Sequence, residues 1–400
     1  MTTKALPMCR YGAKCYRKNA KHLREFAHPD ADDEDKDETK SSDRPQSSAE
    51  NNNELAAEED RKDALSSPAA QDADDDKTAS SGPGAKRRKL NKEESKATGP
   101  ADFIKQKFLV SMPADFFAVW ELAKVVCPEN PSDAFESAND GRLVGAFDVL
   151  AGRFESKETE LSDDDYLLHW RFAVDPPELQ TVLVSRRGHY GYWRDSPDDA
   201  PIVVHVADDS EHFPKLTIVG DNLLAALNHL LTTGGGTKNK SLIEKMEAAA
   251  KAGKFDLQAT TERTKARKKR VVAPTLHSVG IVVPVVDDVG YRPLSETNAV
   301  LKKTLDIIRS TDDETLKSAK LDALQEMVTY VQFANDEADF GMGLELGHDL
   351  FIANTPAVDN AAVQLLSVAY SLLKRPQFGT ILKAHMPRRR RAQLSVLDDN

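Results

Sequence analysis

A mixed α/β fold is predicted by three features of the 400-residue sequence. Short runs rich in β-branched residues, such as QTVLVS (180–185) and PIVVHVA (201–207), have the length and composition of strands. Beyond Ser295, apolar residues recur at spacings of three and four, the period of an amphipathic helix. Before about residue 100 neither pattern is present. Residues 31–100 are rich in Asp, Glu, Ser, Ala, Asn and Lys and cannot bury enough apolar surface to offset the entropy of ordering, so they read as a disordered acidic linker. The expected organisation is a small module at 1–30, that linker, a two-part α+β globular region divided into 101–236 and 237–386, and a basic, disordered tail at 387–400. Its sheet should be mostly antiparallel, and its C-terminal part helical.

The elements follow in chain order. DFIKQKFLVSMPADFFAVWELAKVV (102–126) places apolar residues at helical spacing. The Ser111-Met112-Pro113 break starts a second helix near Pro113 that carries Phe116, Phe117, Trp120 and Leu122. LVGAFDVL (143–150) reads as a strand or turn and YLLHWRFAV (166–174) as a strand. QTVLVS and PIVVHVA are further strands, separated by a polar, aromatic-rich loop, RRGHYGYWRDSPDD (186–199). NLLAALNHLL (222–231) is helical until Gly234–Gly236 break it. A helix around SLIEKMEAAAKAG and the basic run KARKKR (265–270) precede the strand-like VVAPT and GIVVPV. Helices then cover LKKTLDIIRS, LKSAKLDALQEMVTYVQFAND and AAVQLLSVAYSLLKR.

Bulk composition excludes several classes. A formal charge of −11 argues against a wholly basic nucleic-acid binder, although a local basic patch can hide in that sum. Three cysteines are too few for a disulfide framework and fit a reducing compartment. The N-terminal MTTKALPMCRYG has no apolar core of a signal peptide, and no stretch approaches the length of a membrane span. Within the linker, Lys86–Lys89 form a basic run that reads as a nuclear-import signal, or as a solvated charge run.

At the N-terminus Cys9, Cys15, His22 and His28 are spaced C-x5-C-x6-H-x5-H. Two thiolates and two imidazoles are a natural tetrahedral zinc set, and a metal supplies folding energy that some thirty residues lack. The spacing is not that of a DNA-reading finger. Nearby tyrosines can stack on a purine and arginines can grip phosphate, or the same residues can complete a tiny core. CRYGAKCYRKNAKHLREFAHPDAD resembles the poly(ADP-ribose)-binding PBZ zinc finger. The resemblance implies zinc on Cys9, Cys15, His22 and His28, with Tyr11, Tyr16 and Arg17 contacting adenine and phosphate of an ADP-ribose unit.

The other informative stretch is FANDEADFGMGLELG (333–347), where Asp336, Glu337 and Asp339 end a patterned helix and glycines at 341, 343 and 347 allow a tight reversal or a close backbone approach. Acids at a helix C-terminus oppose its dipole. A solvated cap, a metal site involving Glu345, His348 and Asp349, and a carboxylate held as a general base are the alternatives. Asp287, Asp288 and Gly290 suggest a turn that displays Tyr291 and Arg292. The chain carries no dinucleotide fingerprint, P-loop or nucleophile elbow.

From about 103 to 385 the chain resembles the histone PARylation factor family, through FFAVWELAKVVCPENPSDAF, LHWRF, GYWRDSPDD, VVPVVDDVGYR, QEMVTYVQFANDE and DFGMGLELGHDLF. The resemblance implies a factor that is no enzyme alone and is monomeric by itself. It docks onto a DNA-damage-activated poly(ADP-ribose) polymerase, which brings NAD, and redirects ADP-ribosylation to serine, notably on histones. Glu337 would then deprotonate the acceptor serine and Asp336 would position it, while Tyr291, Arg292 and Asp336 support the partner interface. Such a factor works in the nucleus, on chromosomes at sites of DNA damage. Vertebrate members lack the N-terminal finger, so here a polymer reader is fused to the polymerase's helper. The basic segment PRRRRAQ (387–393) leaves direct DNA contact open. Rival readings are an adaptor that only reads poly(ADP-ribose), and a metal-dependent nuclease or hydrolase.

Overall fold

The computed structural model describes residues 99–398, apart from 156–159, 209–212 and 234–239, together with positions 6, 8, 24, 26 and 27. The four predicted zinc ligands, Tyr11, Tyr16, Arg17, Lys86–Lys89 and the linker up to residue 98 lie outside the described residues, and the predicted linker's last residue, Pro100, already belongs to a helix. The chain divides into two compact units, and all described residues from Gly99 onward belong to one of them. In the other, Met8 and Ala27 form an isolated parallel bridge.

Two proline signals place the first helices. α1 (Pro100–Phe108) begins on a proline, and α2 (Ala114–Val126) follows Pro113 at its N-cap. The apolar face of α2 stacks Phe116 on Phe147 at 4.0 Å and Trp120 on the same ring at 5.9 Å. β1 (Arg142–Leu143) and the single-turn α3 (Phe147–Leu150) resolve 143–150 into a short strand and a turn of helix.

YLLHWRFAV is not a strand. It begins inside α4 (Asp163–Leu168), because Ser162 and Asp165 form a reciprocal capping box that nucleates a helix just upstream. Trp170 then turns the chain at φ 56, and the buried Arg171 guanidinium satisfies the carbonyls of Leu167, Pro176 and Leu179 in place of a ladder.

The sheet is an antiparallel meander of β1, β2 (Leu179–Ser185), β3 (Gly188–Trp193), β4 (Ile202–Ala207) and β5 (Leu216–Gly220), in that spatial order. Its central strand, β3, is the segment that reads as a loop in the sequence. The reason is burial on both faces: Tyr190 and Tyr192 enter the core with α2, while Trp193 packs on the opposite face with Leu179, Val204 and Val279. A strand covered on both sides loses the polar alternation that would announce it. The Tyr192 hydroxyl donates to the buried Asp115 at 2.7 Å, and that carboxylate also accepts the Leu223 N–H at 2.7 Å, where the next helix starts.

That helix is α5 (Leu223–Thr233), followed by α6 (Lys240–Gly253) and α7 (Glu262–Arg270). β6 (Val271–Ala273) pairs with β7 (Ile281–Val282). The C-terminal part is helical: α8 (Asn298–Ser310), α9 (Glu314–Asp336), α10 (Phe340–Ile352), α11 (Pro356–Leu372) and α12 (Pro376–His385).

The glycines at 341, 343 and 347 lie within α10 rather than in a reversal. Gly341 to Ile352 are all buried. A β-carbon on Gly347 would sit 2.7 Å from Leu366, and one on Gly343 would sit 3.1 Å from Val331, so the missing side chains let α11 and α9 close on α10. The expectation of close backbone approach holds at Gly341, whose N–H donates to the Gly290 carbonyl at 2.9 Å.

The C-terminal arginines also depart from expectation. Instead of a free tail, Arg389 is buried and donates to the carbonyls of Ala173 (2.9 Å) and Phe351 (2.7 Å), while its guanidinium lies 4.1 Å from the Phe351 ring centre. Arg388 pairs with Asp165, and Arg390 with Asp359. The acids of α4 and α11 pair with three of the four arginines and hold the run against the domain.

One buried network ties the sheet to the helices. Glu178, just before β2, accepts from His348 of α10 at 3.0 Å and from the Tyr370 hydroxyl of α11 at 2.9 Å. Burial alone would raise the Glu178 carboxyl, but His348 and Arg375 outweigh it and hold the group below the usual carboxylate range.

Candidate functional site

Two backbone reversals build the acidic corner. The first ends α9. The N–H of Asp339 donates to the Ala334 carbonyl at 2.8 Å and that of Ala338 to the Asn335 carbonyl at 3.0 Å, the paired bonds of a Schellman motif. Its left-handed position is filled by Ala338, at φ 64, where glycine is the usual residue. The motif separates the three acids. Asp336 is the last helical residue and exposed, Glu337 is the C-cap with its side chain 24% exposed, and Asp339 is fully buried.

The second reversal is the hairpin between Val286 and Val289, which exchange both backbone hydrogen bonds across Asp287 (φ 51) and Asp288 (φ 61). Two left-handed central residues are the signature of a tight type I′ turn. Gly290 follows at φ 134, where a β-carbon would meet the Pro284 carbonyl. The turn that the sequence suggests is present, but it brings Arg292 to the end of α9 buried rather than displayed, and Tyr291 against α10.

Asp339 joins the two reversals. One carboxylate oxygen accepts the Gly290 N–H at 2.9 Å and the other accepts from Arg292 at 3.1 Å. The buried Arg292 guanidinium also pairs with Glu337. The pair held by Arg292 is therefore Glu337 and Asp339; Asp336 stands outside it. Asp339 is the residue the sequence reading did not assign, although it belongs to the same cluster. Its position two residues beyond the helix cap is the only signal that could have marked it.

Behind this corner, the Tyr291 hydroxyl donates to Glu345 of α10 at 2.9 Å. Burial pushes the Glu345 carboxyl up to about 7, opposed by that hydrogen bond. One turn on, burial raises Asp349 as well, although it accepts the Leu276 N–H at 2.7 Å. Glu345, His348 and Asp349, the sequence candidates for a metal, instead take Tyr291, Glu178 and Leu276 as partners. Among the described residues no group of His, Cys, Asp and Glu is arranged to hold a metal ion, and no helix is long and apolar enough to cross a membrane.

The result is a surface carboxylate whose direction is fixed. Arg292 is buried and doubly anchored, so Glu337 is held at a helix end with part of its side chain open to an incoming group. Such a carboxylate can take a proton from a hydroxyl placed against it.

Comparison with known proteins reaches this same region. The family model for histone PARylation factor 1 matches residues 100–389, a span that contains both reversals and Glu337. The chain belongs to the histone PARylation factor 1 family. Histone PARylation factor 1 of Bos taurus is 38% identical over 337 residues, covering 77% of this chain and 96% of that protein. The Mus musculus protein of the same name is 38% identical over 310 residues (74% and 88%), and that of Danio rerio is 36% identical over 306 (74% and 87%). A second family model, the PBZ domain, matches residues 6–31, the stretch holding the Cys and His set.

Proposed function

We propose that this chain is an accessory factor that binds a DNA-damage-activated poly(ADP-ribose) polymerase and completes its active site for serine on histones and other proteins. The observation that carries the reading is the fixed, partly open Glu337 at the Arg292–Asp339 corner. Serine hydroxyl is a poor nucleophile until its proton leaves, whereas a carboxylate acceptor needs no deprotonation at neutral pH. A polymerase lacking a base at the acceptor position needs help only with serine, and Glu337 supplies that base. Exposed beside it, Asp336 meets the acceptor and the partner, and Tyr291 and Arg292 shape the joint surface. The same acids crowd the acceptor site and so oppose chain elongation. NAD belongs to the partner polymerase, and this chain is no transferase alone.

The PBZ match supports poly(ADP-ribose) binding at the N-terminus, with Cys9, Cys15, His22 and His28 holding zinc and Tyr11, Tyr16 and Arg17 on the ligand. Joined through the long acidic segment, the finger raises the local concentration of the factor where polymer is being made, in the nucleus at damaged chromatin. Replacing Cys9 and Cys15 by serine should abolish recruitment to damaged chromatin; unchanged recruitment would refute the tethering role.

The central test mixes the full chain with a DNA-activated poly(ADP-ribose) polymerase, NAD and a histone H3 tail peptide, and maps the modified residues for wild type and Glu337→Gln. Serine adducts that vanish in the variant while the complex still forms make Glu337 the base. Serine adducts that persist reduce the acids to a helix end. If wild type yields none, the chain acts as a poly(ADP-ribose)-reading adaptor.

A further inference from the structure

Folding treats the two basic runs of this domain differently. In the C-terminal run, Arg388, Arg389 and Arg390 pair with Asp165 and Asp359. Of the basic run in α7 only Arg267 turns inward, where it pairs with Asp195 at 2.7 Å and donates to the carbonyls of Val279 (2.9 Å) and Gly280 (3.1 Å). Lys265, Lys268, Lys269 and Arg270 are exposed. Lys265 forms one surface pair with Glu262 of its own helix, and Arg270 lies 3.7 Å from Asp195. Among the described residues Lys268 and Lys269 have no ion pair and no hydrogen bond. Cations in a last turn suit the helix dipole, but neighbouring like charges repel. A partner of opposite charge removes that repulsion.

The helix that carries these cations is rigidly seated. Thr261 and Thr264 form a reciprocal capping box at its start, and Arg267 bolts its inner face to the domain. Lys265 and Lys269, four residues apart, stand about 6 Å from each other along the axis, a reach that spans neighbouring phosphates of one strand. Lys269 and Arg270 also border an open cleft of about 630 Å³ lined by 282–285, Arg375, Asp199 and Asp195, the last already paired with Arg267. Among the described residues its lining includes no aromatic side chain. Readers of single strands and of adenine units stack bases on aromatic platforms, which the described lining of this cleft does not offer. Contact with the outside of a duplex needs only charge.

We propose that the exposed face of α7, with its cleft edge, binds the phosphate backbone of duplex DNA without reading its sequence. The far side of the cleft adjoins the hairpin of the Glu337 corner, but the duplex contact does not depend on the composite-site reading. The contact would hold the factor on the DNA that flanks its acceptor protein.

The test is fluorescence anisotropy with a labelled blunt duplex of about 20 base pairs, at several salt concentrations, using the full chain. Lys86, Arg87, Arg88 and Lys89 are replaced by alanine throughout, so that the linker run does not contribute. Lys268→Glu with Lys269→Glu should weaken binding by tenfold or more, and should reduce the salt slope by about 2, near 0.9 per lost phosphate contact. Both lysines are exposed, and an unchanged thermal melting curve shows that the variant is folded. Duplex affinity equal to the parent would overturn the proposal. A variant that loses poly(ADP-ribose) binding but keeps duplex binding would overturn it equally, since the face would then belong to the polymer.

Discussion

Burying a guanidinium costs several kcal/mol unless opposite charge and hydrogen bonds surround it. At Arg292 the fully buried Asp339 meets that requirement, and Glu337 shares the remaining charge at the surface. Asp339→Asn should therefore lower unfolding free energy by about 3 kcal/mol in urea titration. It should also reduce serine modification although Glu337 is intact, because the guanidinium that directs the base is freed. Glu345 gives a pH signature. Its folded-state value of about 7 lies above its ordinary 4.5, so the native chain keeps a proton that the unfolded chain has already lost. Its contribution to stability thus falls as pH rises from about 4.5 to about 7, then levels off. Buried histidines with lowered values, such as His277, act in the opposite direction, so the test is a difference. Glu345→Gln should melt increasingly higher than wild type as pH rises across this window, and a constant offset would contradict the assignment.

At the scale of elements, the end of α9 and the start of α10 show why a local reading stops short. Three glycines in seven positions argue for a turn, yet each is required by a helix packed closely on its neighbours. The actual reversal falls on Ala338, which bears a left-handed strain that glycine would not. Ala338→Gly should stabilise the domain by roughly 0.5–1 kcal/mol, read as a rise in the urea midpoint with unchanged slope. β3 is the complementary case, for its aromatic and histidine content reads as a loop until both of its faces are covered. The helices α2, α8, α9 and α11 were legible because each has one buried stripe and an exposed back, whereas α5 is buried at five consecutive positions, Leu223 to Leu227.

At the scale of the whole molecule, the described residues from Gly99 onward hold three apolar clusters, one around α2, α5 and α6, one around α10 and α11, and a smaller one on the Trp193 face of the sheet. Glu178 ties the start of β2 to α10 and α11 through His348 and Tyr370, and Arg389 ties the Ala173 loop to Phe351 and Asp359. Removing residues 387–400 strips the buried Arg389 from its carbonyls and from Asp359. The truncated chain should lose about 3 kcal/mol or more of stability, measured by urea unfolding, because these are charge-assisted bonds to buried acceptors. A truncation without effect would mean that the arginines merely lie on the surface.

The mixed α/β class, the strands β2 and β4, the helical C-terminal part and the Cys and His spacing at the N-terminus could all be read from the residues alone. The sequence also brought Glu337 and Arg292 forward as candidates. These features are written in periodicity, spacing and motif, which depend on near neighbours along the chain. Tertiary packing was needed to show that Asp339 rather than Asp336 shares Arg292, that β3 is a central strand, that α10 is a buried helix, and that Arg389 enters the core while Lys265, Lys268, Lys269 and Arg270 of α7 face outward. Each of these depends on which distant segment covers a residue, and burial by a distant segment leaves no local period to read.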